Sequence, residues 1–139
     1  TNKNIVIGFY GVAFKGKPVT DDIRGSLIID LLKLFKIKNN NIFFKGYDKN
    51  VPKEIFTYLK IKKIHDVKDL FKKTDILINL NNNDHFKKID LKLMSKLMKK
   101  NGFIYDYWNN FVDKKVIFSN NIKYVSYGSE KIKWNLEKF

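Results

Sequence analysis

Arg24 is the only arginine in a chain whose lysines and arginines together number 28. A guanidinium is a planar fork that binds phosphate or carboxylate through paired hydrogen bonds, a geometry that an ammonium cannot reproduce. Arg24 follows Thr20, Asp21 and Asp22, residue types that begin helices, and these follow the run Gly11-Val12-Ala13-Phe14-Lys15-Gly16-Lys17. At the end of a strand and beside a helix amino terminus, the Lys15 ammonium suits a phosphate or a developing oxyanion as a compact point charge, with the Phe14 backbone adding a neutral contact. The competing accounts are structural: surface solvation for Lys15, and a salt bridge to Asp21 or Asp22 for Arg24.

The elements around these residues must form a scaffold that brings them to one edge. Ile5 to Tyr10 is a continuous apolar run with β-branched residues, the mark of a strand buried on both faces in a parallel sheet. It leads into the small-residue turn, the Lys15/Lys17 pair and a helix start at Thr20-Asp21-Asp22, the layout of an anion-binding strand-loop-helix unit. Asp21 or Asp22 caps that helix, and Ile23, Leu27, Ile28, Leu31, Leu32 and Phe35 recur at spacings of three and four. A second strand, Ile42 to Tyr47, closes at Asp48. Pro52 opens a short helix carrying Ile55, Phe56 and Leu59, and Ile61 to Ile64 reads as a short edge strand.

Asp66 caps a small helix through Phe71, and Thr74 to Leu80 is the next buried strand. Asn81-Asn82-Asn83-Asp84 then falls at its carboxyl end, where open parallel sheets place their ligands. Asp90 caps a helix from Leu91 to Met98, Gly102 breaks it, and Phe103 to Tyr105 forms a strand ending in Asp106. Val116 to Phe118 and Lys123 to Tyr127 are two shorter strands. Strands alternating with helices at short spacings predict an α/β fold, a three-layer αβα sandwich of Rossmann-like kind with a mostly parallel sheet. One domain, residues 1–128, is expected, followed by a tail, residues 129–139.

Composition narrows the function. The chain has 139 residues, 44% of them hydrophobic, enough for one core. No apolar run approaches the roughly 20 residues that cross a bilayer, and the start Thr1-Asn2-Lys3-Asn4 is no signal peptide, so a cytoplasmic domain cut from a longer protein, without membrane contact, is expected. With no cysteine there is no disulfide framework, thiolate metal site or cysteine nucleophile. A net charge of +14 invites a nucleic-acid reading, but the lysines are spread from Lys3 to Lys138 without a dense block. They read as a solvated surface that steers anions loosely.

Two motifs carry less than they suggest. Gly8-Phe9-Tyr10-Gly11 lacks the spacing and the third glycine of a dinucleotide fingerprint. His65 and His85, without cysteine partners, make no metal site, and His85 reads as a surface residue.

The turn Gly11-Val12-Ala13-Phe14-Lys15 and the segment Thr20-Asp21-Asp22-Ile23-Arg24-Gly25-Ser26 resemble the C-terminal domain of the UDP-glucose/GDP-mannose dehydrogenase family, the nucleotide-sugar 6-dehydrogenases. There, Gly-x-Ala-Phe-Lys and Thr-Asp-Asp-x-Arg-x-Ser follow the domain's first strand. The resemblance spans roughly residues 5 to 128 and is strongest over residues 11 to 26. It implies that Phe14 and Lys15 contact a UDP-sugar substrate, and that Arg24 reaches an NAD cofactor bound mainly by another domain across a cleft. It also places Ile104-Tyr105-Asp106-Tyr107-Trp108-Asn109-Asn110 where many members carry a strand and Asp-Gly-Arg-Asn, making Asp106 and Asn109 substrate-binding candidates.

Trp108 stands in the arginine's place, so stacking or a different sugar is one account of it and a core or interface aromatic is the other. The remaining domains of the dehydrogenase are the implied partners, with homodimerisation through the family's central helix. The family's NAD-binding domain and catalytic cysteine lie outside this chain, which alone would not carry out the oxidation. Two other classes compete with this reading. One is a basic single-strand nucleic-acid module stacking bases on Tyr105, Tyr107, Trp108 and Phe111; the other is a Rossmann-like interaction domain that binds no ligand.

Overall fold

A computed structural model describes residues 3–38, 41–111 and 118–127. Among these, six strands form one sheet in the order β3-β2-β1-β4-β5-β6: β1 (Ile5–Tyr10), β2 (Ile42–Tyr47), β3 (Lys62–Lys63), β4 (Ile76–Asn79), β5 (Phe103–Asp106) and β6 (Lys123–Ser126). Every pairing is parallel, with β1 in register from Ile5↔Ile42 to Tyr10↔Tyr47 on one side and from Ile7↔Ile76 to Tyr10↔Asn79 on the other. The chain order reverses at β1, so the topological switch point lies between β1 and β4.

Among the described residues, four α-helices fill the outer layers, α1 (Leu27–Lys38), α2 (Lys53–Leu59), α3 (Val67–Phe71) and α4 (Leu91–Ser95), with a single 3-10 turn at Phe86–Lys88. Alternation along β1 sets the division. Ile7 and Phe9 point to one face, where Ile28 and Leu32 of α1 and Phe56 and Leu59 of α2 close over them. Tyr10 points to the other, with Leu70 and Phe71 of α3 and Leu91 and Met94 of α4. Both faces of the central strand are therefore covered, which is why it reads as unbroken apolar sequence.

Two helix boundaries differ from the periodicity. α1 begins at Leu27 rather than at Asp21 or Asp22. The Asp22 carboxylate is taken by Arg24, and Gly25 has φ +76°, a left-handed conformation that ends the preceding turn and that glycine adopts at little cost. Ser26 then takes the cap position: its Oγ accepts the Ile28 N–H at 3.4 Å and donates to the Val12 carbonyl at 2.8 Å. α4 stops at Ser95 rather than Met98. The Ser95 hydroxyl bonds back to the Lys92 carbonyl and receives the Ser119 N–H, while Asn120 Nδ2 satisfies the carbonyls of Ser95, Lys96 and Met98. Asp66 and Asp90 cap α3 and α4 as expected, accepting from Lys68 N and Leu93 N. The strand expected at Val116 to Phe118 and the tail from residue 129 fall, apart from Phe118, outside the described residues.

Candidate functional site

The carboxyl ends of β1, β4 and β5 meet at one edge of the sheet. β1 runs straight into Gly11, whose φ of +78° turns the chain across the end of β4. A Cβ at Gly11 would collide with the Asn81 carboxamide, so only glycine lets the two chain segments approach this closely. Asn81 is buried and its Nδ2 donates to the Ala13 carbonyl at 3.3 Å. Asn82 Oδ1 accepts the N–H groups of Gly16 and Lys17 at 2.8 and 3.1 Å, and Lys17 Nζ pairs with Asp84 at 3.1 Å. Lys87 and Lys17 together hold the Asp84 carboxyl below its ordinary range through their hydrogen bonds. The Asn81 to Asp84 segment thus acts on the loop after β1, fixing its shape.

Most of the loop's backbone donors are also engaged. Asp48, buried at the carboxyl end of β2, accepts Val12 N at 2.8 Å and Ala13 N at 3.0 Å, and Phe14 N donates to the Asp22 carbonyl. The anion cradle expected from the strand-loop-helix layout is therefore largely closed: the amides of Gly11, Val12, Ala13, Phe14, Gly16 and Lys17 bind protein oxygens, and α1 starts well beyond the loop. What remains open at the end of β1 is side chain. Phe14 is 38% exposed, and Lys15 Nζ lies 4.9 Å above its ring centroid, a cation–π contact that holds the ammonium at the surface.

Arg24 sits in the same connection, its side chain 90% exposed. Its Nε donates to both Asp22 carboxylate oxygens at 3.0 Å and its Nη2 to Oδ2 at 2.6 Å, the salt bridge named above as its structural alternative. These hydrogen bonds hold the Asp22 carboxyl down at about 2. The pairing occupies Nε and Nη2, and Asp22 also accepts Arg24 N, so the residue is oriented by its own turn before any ligand arrives.

Across the edge, Asp106 ends β5 fully buried. Its carboxylate receives Asn79 Nδ2 at 2.9 Å, Trp108 N at 3.0 Å, Asn110 N at 2.7 Å, Asn110 Nδ2 at 3.0 Å and Tyr124 OH at 2.8 Å. Burial, reinforced by the bond to Asp106, pushes the Tyr124 hydroxyl above its ordinary value, so it stays a donor. Asp106 therefore shapes the Tyr107 to Asn110 turn from beneath rather than facing solvent. Asn109 is exposed in a left-handed conformation, φ 51°, which asparagine tolerates. Trp108 is 49% exposed with Nε1 donating to the Leu80 carbonyl at 3.1 Å, and Leu80 N donates to the Tyr10 carbonyl. That chain of bonds fastens the three strand ends together.

The sequence drew attention to Lys15, Arg24 and the Asn81 to Asp84 run, but not to Asp48 or Tyr124. An acid immediately after the second strand was the available signal, because dinucleotide folds use that position for a ribose hydroxyl. Here Asp48 turns inward instead. It borders a cavity of about 130 Å³ with Tyr10, Tyr47, Asn83 and His85, where burial pushes the Tyr10 hydroxyl well above its ordinary value. His85 is exposed beside it, and among the described residues no group of three or more His, Cys, Asp or Glu could hold a metal ion. No described helix is long and apolar enough to cross a membrane. Of the aromatic residues proposed to stack on bases, Phe111 is buried against Phe86 and Tyr124 and is not available to a ligand.

A family model described as the UDP-glucose/GDP-mannose dehydrogenase family, UDP binding domain, matches residues 8–114. No curated protein matches the chain. Among solved structures it is similar to native UDP-N-acetyl-mannosamine dehydrogenase from Staphylococcus aureus, at 25% identity and a TM-score of 0.64 over 91% of this chain and 27% of that one. A derivative structure of the same enzyme gives 24% identity and a TM-score of 0.65 over 93% and 27%. UDP-D-ManNAc dehydrogenase from Pyrococcus horikoshii gives 20% identity and 0.64 over 88% and 25%, a likeness of fold. The chain thus spans about a quarter of the length of these structures, 25% to 27%.

Proposed function

Because the chain belongs to the UDP-glucose/GDP-mannose dehydrogenase family, as its UDP binding domain, we propose that it grips the nucleotide-sugar substrate of an NAD-dependent 6-dehydrogenase. In the complete cytoplasmic enzyme a sugar C6 alcohol would be oxidised to a carboxylate. The chain contains no cysteine, so a covalent thiol step falls to residues beyond it. The observation that carries the reading is the open pair at the switch point. Lys15 stands over Phe14 at the end of β1, on a loop whose shape is fixed by Asp48, Asn81, Asn82 and the Asp22 carbonyl.

In this reading Lys15 meets a phosphate or sugar oxygen of the UDP-sugar, and Phe14 presents a ring edge and backbone beside it. Asn109 offers its amide from the β5 turn, two strands away and so about 10 Å across the edge. Asp106 acts through the turn it holds, as a positioning residue. NAD does not fit this domain as a resident dinucleotide, since the loop amides that would face its pyrophosphate are bound by Asp48, Asp22 and Asn82. Arg24 fits a different part: an exposed, pre-oriented cation that reaches a cofactor held by a neighbouring domain, where NAD supplies the hydride acceptor.

The test is an amide NMR titration of the chain with UDP and UDP-sugars at physiological salt, with an unstructured RNA as control. Shifts confined to residues 11–26 and 103–110 are expected, and Lys15→Ala should weaken binding about tenfold, the loss of one charge-assisted contact of about 1.4 kcal/mol. Equal affinity in the variant, or shifts only with RNA, would sink the reading.

A further inference from the structure

A second cationic feature lies away from the ligand edge, on the opposite side of β1. A groove of about 520 Å³ runs along the β2–β3 edge of the sheet, lined by Lys45, Lys62, His65, Asp69, Lys72 and Lys73 among others. Its construction is specific. Lys45 projects from β2 under α3, where its Nζ donates to the carbonyls of Asp69 and Lys72, both at 2.7 Å, neutralising the negative end of that short helix. Lys62 stands opposite it in register on the edge strand, and Lys72 and Lys73 follow directly from α3.

Only two carboxylates line the groove. Asp66 is committed to capping α3, and Asp69 lies on α3 itself. Among the described residues, ion pairs form at Lys17, Arg24, Lys87 and Lys99, but none engages Lys62, Lys72 or Lys73. Lysines on an edge strand also deter pairing with another sheet. That purpose accounts for Lys62, but not for a concave surface into which β2, β3 and the end of α3 all bring ammonium groups.

We propose that the β2–β3 groove is a second anion site that takes an oligophosphate chain, separate from the nucleotide-sugar edge. Three lysines without carboxylate ion pairs, Lys62, Lys72 and Lys73, line one concavity of this size, which matches the repeated charges of a triphosphate rather than a single carboxylate. Lys45 adds a fourth cation beneath them. The charged groups facing it are Lys62 on β3, Asp69 on α3, and Lys99, itself paired with Asp75 just before β4, while the Lys72 carbonyl after α3 accepts its Nζ. Burial lowers the Lys45 ammonium to about 8, so binding weakens as the pH rises from 7 to 9.

The experiment is calorimetric titration of the 139-residue chain with tripolyphosphate at low salt, repeated with ATP and with an oligonucleotide. The same titrations are run on K62E/K72E and on K33E/K36E, a pair on α1 that changes net charge equally. Both variants are checked for folding by circular dichroism. Tripolyphosphate is expected to bind, with affinity falling at least tenfold in K62E/K72E and less than twofold in K33E/K36E. Equal binding of ATP would show that the phosphate chain is read wherever it comes from; weaker ATP binding would assign the site to free polyphosphate. No binding, an equal loss in both variants, or binding of the oligonucleotide alone would overturn the proposal.

Discussion

Replacing Asp106 by asparagine tests whether a buried carboxylate organises the β5 end of the site. The wild-type carboxylate accepts from Asn79 Nδ2, Trp108 N, Tyr124 OH, and both N and Nδ2 of Asn110. An amide keeps one acceptor oxygen and presents an NH₂ in place of the other. With the oxygen left on Asn110 N and Tyr124 OH, the new NH₂ faces Asn79, Trp108 N and Asn110 Nδ2, of which Asn110 Nδ2 keeps its longer bond, 3.3 Å, to the remaining oxygen. Asn79 can turn its carboxamide over, because its Oδ1 has no hydrogen-bond partner in the wild-type structure, and accept from the new amide. Trp108 N then has no acceptor.

One unsatisfied buried N–H costs about 1–3 kcal/mol, and two charge-assisted bonds made neutral lose about 1 kcal/mol each, partly offset by the bond Asn79 gains. The sum is about 2–4 kcal/mol, a large share of the total stability of a domain this size. Urea unfolding followed by circular dichroism should show the midpoint fall with an unchanged slope. Tyr124→Phe in the same background should be less than additive, since both changes act on one network. A loss below about 1 kcal/mol, or full additivity, would refute the network argument.

Two further outcomes are expected. Gly11→Ala should destabilise the domain by about 2–4 kcal/mol, from the left-handed backbone together with displacement of Asn81, and denaturant unfolding checks it. A loss under about 0.5 kcal/mol would mean that the loop does not need the close approach to β4. For Lys45 the folded ammonium titrates near 8 against an ordinary 10.5, so between those values the unfolded chain holds the extra proton and wild-type stability rises with pH. Relative to Lys45→Met the gain should reach about 1 kcal/mol, discounted for partial exposure, and a stability difference that stays flat from pH 8 to 10.5 would contradict it.

Much of the scaffold was legible because it rests on local signals. The apolar run Ile5 to Tyr10 could be buried only on both faces, Asp66 and Asp90 announced their helices, and Asn81 to Asp84 fell at a strand's carboxyl end. Lys15 and Arg24 stood out through their place in a motif and their chemistry. The start of α1 was misplaced because Thr20-Asp21-Asp22 offers capping side chains in plain sequence, whereas the turn at Gly25 and the competition of Arg24 for Asp22 exist only once the loop is folded.

The sequence by itself determined the alternation of strands and helices, the fold class and the segment that carries the family's motif, since each depends on residue type and short-range spacing. The tertiary structure alone decided which polar groups remain open to a ligand. Asp48 closes the backbone of the first loop from 35 or more residues away, and Tyr124 reaches Asp106 from the next strand. Hydrogen-bond donors and acceptors pair by proximity in space, and that proximity is set by the order of strands in the sheet rather than by their order along the chain.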